Sequence, residues 1–203
     1  MTSGSAIDRV RRALAGVSFL GLLGGCASVE PVGSAENPLV ERGVGENEIN
    51  WPLGYKPEEA TFFVHNEIEI EAPPQRVWDI LVQAQAWPSW YEGASEVKVI
   101  GSDDGVLRAD QAFSWRTMDM EFTSRIKEFK APTRLSWESR KTLIQGYHAW
   151  LIIPSGEGCR VITDESQHGF LASMQGIFIP NKLRRLHDVW LAGIKMKAER
   201  VAP

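Results

Sequence analysis

The sequence predicts an α+β domain made of one strand, two short helices, six further strands and a long C-terminal helix. Two patterns carry this prediction. Apolar and polar side chains alternate over several short runs between residues 62 and 166, which is typical of strands with one buried face. From Asn181 onward apolar residues return every three or four positions, which indicates a helix with one buried face.

The first strand is predicted over residues 62–70, where the even positions are mainly apolar and the later odd positions are charged. Pro73 and Pro74 end this strand, and a proline at the first position of a helix is already in a helical conformation. A short helix is therefore predicted over residues 75–82, with a second short turn over 86–91.

Six further strands follow, separated by turns rich in glycine, proline, serine and aspartate. The clearest alternation places Leu107, Phe113 and Trp115 on one face and Arg108 and Arg116 on the other. The six runs lie at residues 97–99, 107–116, 120–127, 134–138, 145–153 and 159–166. The terminal helix, at about twenty residues and ~1.5 Å per residue, is roughly 30 Å long, enough to lie across a sheet.

The first 25 residues have the pattern of a secretory signal. Arg9, Arg11 and Arg12 precede an uncharged apolar run that is too short to span a bilayer stably. The run ends in LGGC, which resembles the bacterial lipobox. The resemblance implies that the chain is cleaved before Cys26 and that Cys26 carries diacylglycerol, which anchors the protein to a membrane of the cell envelope. The alternative is an ordinary secreted protein with a chance cysteine at this position.

Residues 26–60 are predicted to be the lipidated N-terminus and a flexible tether, since they are largely rich in glycine, proline, serine and glutamate without periodicity. Within them, residues 51–55 form a candidate docking segment. The folded domain is predicted over 61–203. Ala27 follows the lipidated cysteine, so what is known of bacterial lipoproteins implies the outer membrane, facing the periplasm, if the source has two membranes.

Composition limits the possible partners. The chain has 203 residues, a net charge of −4 and 43% hydrophobic residues, which fits a soluble globular domain. Removal of residues 1–25 takes away three arginines and one aspartate, so the mature chain is more acidic still. Nucleic acid is therefore an unsuitable partner. An acylated Cys26 would leave Cys159 without a disulfide partner in its own chain, and the sequence leaves a protein partner open.

Several motifs resemble the SRPBCC superfamily, which includes START-like proteins and the polyketide cyclase/dehydrase and lipid-transport proteins. Two segments resemble the opening of the superfamily: IEIEAPPQRVWDIL at 68–81 and WPSW at 87–90. Two others resemble its closing hairpin: GYHAW at 146–150 and GCRVITDES at 158–166. The resemblance covers about residues 61–198. It implies the helix-grip fold, in which a curved antiparallel sheet of seven strands wraps around the long helix and encloses a cavity. Members bind lipids, sterols, polyketides or other hydrophobic molecules, and a minority are enzymes.

The bulky residues of the inward faces are candidates for the lining of such a cavity, which in ligand-binding proteins measures about 300 Å³ or more. Trp90, which flanks Pro88 together with Trp87, is a candidate for its rim. The alternative is that these side chains fill the interior completely. The predicted ligand-binding residues are Trp90, Phe113, Trp115, Phe122, Trp137 and Trp150.

The sequence offers one candidate catalytic pair. His148 and Glu165 fall on adjacent strands of the last hairpin, and in some registers they lie side by side, where they could polarise a carbonyl or move a proton. A shift of one residue would instead pair Tyr147 with Glu165. A satisfied polar pair that only shapes the pocket is the alternative. No serine-nucleophile motif is present.

The chain's histidines, His65, His148, His168 and His187, are far apart and lack the spacing of metal ligands, so the sequence predicts no metal and no tightly held cofactor. These observations favour an envelope lipoprotein that binds or carries a hydrophobic small molecule. The second hypothesis is a cyclase/dehydrase-type enzyme that uses His148 and Glu165. The third is a structural adaptor with a filled interior, since a cavity under about 100 Å³ could not take ligands of the expected size.

Overall fold

The computed structural model describes residues 45–200, and the signal segment, Cys26 and the rest of residues 1–44 lie outside them. Seven strands form one antiparallel sheet in the order β1-β7-β6-β5-β4-β3-β2. The strands are β1 (Phe62–Ile70), β2 (Ser95–Val99), β3 (Ala112–Thr117), β4 (Met120–Lys130), β5 (Arg134–Lys141), β6 (Ile144–Ser155) and β7 (Gly158–His168). The helices are α1 (Pro74–Leu81), α2 (Phe170–Phe178) and α3 (Lys182–Glu199), with short 3₁₀ turns at Pro57–Glu59 and Ala84–Ser89. The predicted fold class is confirmed.

Helix α3 packs on the inner face of the sheet. Its 18 residues bury one stripe, which includes Leu183, Trp190 and Ile194. The helix approaches Trp90 closely because residue 193 is glycine, at which an added Cβ would lie only 2.9 Å from the Trp90 ring. None of the helices within residues 45–200 is both long enough and apolar enough to cross a bilayer.

The last hairpin fixes which residues face α3. Strands β6 and β7 are joined at Gly156 and Glu157, and Gly156 has φ +59°, the left-handed backbone that glycine adopts without strain. This turn pairs Ser155 with Gly158, and the register then places His148 opposite Glu165. Opposed residues of an antiparallel pair share a face, so both side chains point toward the helix.

One predicted strand is shorter than its alternation suggests. Strand β3 begins at Ala112, whereas the sequence predicts a strand from residue 107. The preceding residues turn instead: the Leu107 amide donates to the carbonyl of Val82, and Asp110 has a left-handed φ of +61°. The Leu107 side chain is fully buried without being part of the sheet. Here the alternation of apolar and polar residues reflects burial of the apolar side chains and not pairing in the sheet.

Residues 45–60, which we call the strap, lie on part of the outer face of the sheet. Tyr55 and Trp51 pack on the Tyr147 ring, with centroid separations of 5.5 and 5.8 Å. Arg134 of β5 donates hydrogen bonds to the carbonyls of Gly45 and Glu46 at 2.9 Å, and to that of Glu48. The second half of the predicted tether is therefore packed on the domain, as proposed for residues 51–55, because its aromatic side chains cover apolar sheet surface.

Candidate functional site

A cluster of aromatic rings fills most of the space between the sheet and α3. Trp190, which is 1% exposed, lies at its centre. Tyr91 stacks on it at 4.3 Å, and Trp87 and Trp150 approach edge-on at 5.0 and 5.1 Å. Such pairs add about 0.5–1.5 kcal/mol each beyond the burial of their surface. The tryptophans that suggested a cavity wall are thus largely a packed core.

A small cavity remains at one end of this cluster. Its volume is about 40 Å³, and about 560 Å³ of space is free of protein atoms when the open mouth is included. Pockets for drug-sized ligands start near 300 Å³, so the enclosed part is smaller than the sequence predicts. It also lies below the bound of about 100 Å³ under which a filled interior is expected. The mouth is lined by flexible and apolar side chains, among them Met118, Met120 and Leu183.

Three of the six predicted ligand-binding residues line this cavity: Trp115, Phe122 and Trp137. The other three do not. Phe113 is fully buried against Trp87, with centroids 5.7 Å apart, and Trp150 is buried against Trp190.

Trp90 lies outside the cavity lining, against α3, with the Lys197 ammonium 5.7 Å from its ring centroid. These three placements depart from the prediction because an inward face contributes both to the filled part of the interior and to the open part. Alternation along a strand cannot separate the two.

The inner end of the cavity is polar. His148 Nδ1 lies 3.2 Å from Glu165 Oε2, and His148 Nε2 lies 2.7 Å from the Thr163 hydroxyl oxygen. The imidazole stacks on Trp150 at 5.5 Å with an angle of 11° between the planes. His148 and Glu165 are therefore the side-by-side pair that one of the two considered registers gives, and β7 supplies Thr163 from the next inward position.

A third residue of this end was not predicted. His187 of α3 places Nε2 at 3.3 Å from the same Glu165 oxygen, and its ring centroid lies 4.7 Å from that of His148. The sequence argument treated the histidines as isolated, and that premise is wrong for these two. His187 falls on the buried stripe of α3, four residues after Leu183 and three before Trp190, and this position was the available signal.

Burial governs the electrostatics of this group. Burial lowers the pKa of His148, although the Glu165 carboxylate opposes the shift. For Glu165 burial acts to raise the pKa, but the contacts from His148 and His187 outweigh it and hold the pKa below its ordinary value. Gln167 Nε2 also donates to Glu165 Oε1 at 2.5 Å. In the described part of the chain no lysine or arginine pairs with Glu165.

Several polar atoms of the residues around the cavity are buried without a hydrogen-bond partner among the described residues. They are His148 Nδ1, whose contact with Glu165 lacks hydrogen-bond geometry, and also Gln167 Oε1, Gln175 Nε2, His187 Nδ1 and Trp190 Nε1. Each unpaired buried donor or acceptor costs about 1–3 kcal/mol. A group of them at one end of a cavity is typical of a site that receives a polar ligand group.

A sequence profile of proteins described as polyketide cyclase / dehydrase and lipid transport matches residues 61–199, more than half of the chain. The chain belongs to this family. Residues 61–199 include every strand of the sheet and α3, so the family match covers the elements that build the cavity. Among curated proteins, none matches this chain.

Solved structures agree with the family. A hypothetical protein of Helicobacter pylori is 26% identical, with a TM-score of 0.71 over 75% of this chain and 97% of its own. Norcoclaurine synthase from Thalictrum flavum, in complex with dopamine and hydroxybenzaldehyde, is 15% identical, with a TM-score of 0.54 over 70% of this chain and 88% of its own. The di-domain ARO/CYC protein BexL is 17% identical, with a TM-score of 0.56 over 70% of this chain and 51% of its own. The last two share the fold.

Proposed function

We propose that the cavity binds a small molecule that joins a flat apolar part to a polar group, and that the protein carries this molecule. One observation supports the proposal above the others: an aromatic-walled cavity ends on buried polar atoms that have no partners among the described residues. Ring faces of Trp115 and Trp137 would contact the apolar part. The polar group would reach Gln167, Gln175 or the histidines.

The size of the cavity restricts the ligand. A rigid sterol would not enter about 40 Å³. A smaller ring system would need the cavity to widen, which Met118 and Met120 of its lining favour because their side chains are unbranched and adaptable. Family membership supports a hydrophobic ligand. Norcoclaurine synthase, which has this fold, is solved with two small aromatic molecules, dopamine and hydroxybenzaldehyde.

Two probes that differ by one hydroxyl test the proposal. 2-Naphthol and naphthalene have the same apolar skeleton, and tryptophan fluorescence of the cavity wall reports binding of each. We expect 2-naphthol to bind about tenfold more tightly, because one hydrogen bond to an otherwise unpaired buried group contributes about 1–1.5 kcal/mol. Met120→Trp should obstruct the mouth and abolish binding.

Met196→Trp is the matched control, since Met196 is exposed on α3 and outside the cavity lining, and it should leave the affinity unchanged. Equal affinity for the two probes would contradict the polar half of the proposal. An absence of binding by both probes, or unchanged binding in Met120→Trp, would contradict the carrier and favour the structural adaptor.

A second candidate is a cyclase/dehydrase-type enzyme in the same cavity, and the contact between His148 and Glu165 favours it. A neutral imidazole beside a carboxylate can accept and return a proton. Native mass spectrometry of the protein purified from its own envelope would identify a bound compound, which can then be assayed for conversion. If His148→Ala keeps the affinity for that compound but loses its conversion, the protein is an enzyme and the carrier hypothesis fails.

We propose further that the mature protein is anchored through a lipidated Cys26 at the outer membrane, facing the periplasm. The basic residues, apolar run and LGGC motif in that order support this location. Cys26→Ser should move the protein from the membrane fraction to the soluble fraction and remove the mass of the acyl chains from its N-terminal peptide. Membrane retention of Cys26→Ser would contradict the anchor.

A further inference from the structure

We propose that His148, Glu165 and His187 form a binding site for one divalent transition-metal ion of the zinc type. The three side chains come from β6, β7 and α3, and each lines the cavity. The inference is independent of the organic ligand proposed above.

The spacing of the donor atoms suits a tetrahedral ion. A zinc ion with bonds of ~2.0–2.1 Å separates its ligand atoms by about 3.3 Å. Glu165 Oε2 lies 3.2 Å from His148 Nδ1 and 3.3 Å from His187 Nε2. All three donor atoms lie within 4.8 Å of one another. A small rotation of the two imidazoles toward a common centre would bring their donor nitrogens to the same separation from each other.

Behind two of the three donors, His148 and Glu165, the atoms are arranged as they are around bound metals. A ligating histidine usually holds its second ring nitrogen in a hydrogen bond, which orients the ring. His148 does so with Nε2 at 2.7 Å from the Thr163 hydroxyl oxygen, which leaves Nδ1 available as a ligand 3.2 Å from Glu165 Oε2. Gln167 donates to Glu165 Oε1, so Oε2 is the oxygen available to an ion.

The charge of the site also calls for a cation. Glu165 is mostly buried, and among residues 45–200 its side chain contacts histidines and Gln167 but no lysine or arginine. A buried carboxylate is costly unless a positive charge accompanies it. His148 and His187 are 3% and 1% exposed, so both imidazoles meet the carboxylate in a largely apolar interior. A metal ion would compensate the carboxylate and would take the place of the proton that His187 Nε2 donates to Glu165.

The donor set selects the class of ion. Two imidazoles and one carboxylate suit zinc and its neighbours in the first transition row, whereas magnesium and calcium prefer oxygen ligands throughout. Three protein ligands leave one tetrahedral position, as in catalytic rather than structural zinc sites. That position would face the cavity, whose lining includes all three ligands.

Calorimetric titration of the chelator-treated full-length protein with ZnCl₂ tests the proposal, and absorption of bound Co²⁺ reports tetrahedral geometry. We expect one ion per chain. Glu165→Gln and His187→Gln each remove a ligand and should weaken binding by more than about 100-fold. Thr163→Val removes only the group that orients His148 and should weaken it by about 10–100-fold.

His65→Gln is the matched control, because His65 also lies between two carboxylates, at 2.7 Å from Asp164 and 3.6 Å from Glu67, but it is 46% exposed. It should leave binding unchanged. Near-ultraviolet circular dichroism of the tryptophan cluster shows whether each variant is folded, and Glu165→Gln is nearly isosteric.

The proposal is overturned if the parent protein binds no zinc, if folded Glu165→Gln binds it as tightly as the parent, or if His65→Gln alone abolishes binding. Titration with 2-naphthol is carried out in the presence of EDTA, so that failure of the metal site and failure of the ligand site are seen separately.

Discussion

Each face of the sheet carries a largely buried glutamate, and the two glutamates have different kinds of contact partners. On the outer face Glu138 contacts Arg140 at 2.6 Å, the Tyr55 hydroxyl at 2.8 Å and Lys127 at 3.2 Å. On the inner face Glu165 contacts two histidines and Gln167. The exposed fractions of the two side chains are similar, 11% and 15%.

The difference separates a stabilising site from a binding site. Glu138 has cationic partners and a hydroxyl donor within the chain, and together they attach the strap to the sheet. Glu165 contacts two histidines and an amide but no lysine or arginine among the described residues, and unpaired polar atoms surround it. Polar groups that are already satisfied stabilise a fold, whereas unsatisfied ones favour an additional ligand. We therefore expect the outer face to contribute stability and this end of the inner face to contribute binding.

The largest effect on stability should come from the aromatic part of the inner face. Trp190→Ala removes the ring at the centre of the cluster and should lower the free energy of unfolding by about 3–5 kcal/mol. Urea denaturation at constant temperature measures this. Trp51→Ala, in the strap, removes the same side chain from a half-buried position and should cost less than half as much. Equal losses of stability in the two variants would contradict the distinction between the aromatic core and the strap.

A smaller loss is expected on the outer face. Arg134→Met keeps most of the apolar stem of the side chain but removes the hydrogen bonds to Gly45, Glu46 and Glu48. It should cost about 1.5–3 kcal/mol, since hydrogen bonds from a charged group are the stronger kind. Limited proteolysis should then cut within residues 45–60 first. If 2-naphthol affinity falls in parallel, the two faces of the sheet are not independent.

The contribution of Glu138 to the free energy of unfolding should depend on pH. Burial acts to raise its pKa, but hydrogen bonds from Arg140, Tyr55 and Lys127 outweigh it and lower the pKa to about 2. A depressed carboxyl pKa stabilises the folded state above the ordinary value of 4.5, and this contribution is lost as pH falls toward 2. The stability difference between the parent and Glu138→Gln should shrink over that window. A difference independent of pH would contradict the assignment.

The smallest effect on stability is expected for Glu165→Gln. Glutamine is nearly isosteric with glutamate, and its amide oxygen can still accept a hydrogen bond from Gln167 or His187, so the substitution leaves no cavity and few newly unpaired groups. We expect a change of less than about 1 kcal/mol in the free energy of unfolding at neutral pH. Thermal denaturation without added metal measures it. A loss above about 3 kcal/mol would make Glu165 a stabilising residue like Glu138.

Much of the fold follows from local sequence, because alternation and helical spacing are local consequences of burial. The pairing of His148 with Glu165 also depends on a local feature, the turn at Gly156, which restricts the register. The sequence predicts too early a start for β3, because Asp110 has a left-handed backbone that the alternation of residues does not indicate.

The remainder of the site depends on tertiary packing. His187 is 22 residues from Glu165 and on another element, so no spacing rule connects them. Whether an inward tryptophan lines space or fills it depends on its neighbours across the interface. Trp150 and Trp137 occupy inward positions on adjacent strands, and only Trp137 reaches the cavity.

The attachment of the strap determines how the domain would bear mechanical load. Arg134 holds the first described residues at the start of β5, a strand with neighbours on both sides. A pull on the chain ahead of Gly45 would first strain these contacts and then the middle of the sheet. Strand β5 also carries Trp137 and Ser139, which line the cavity. Load on the N-terminal chain would therefore reach the cavity wall through β5.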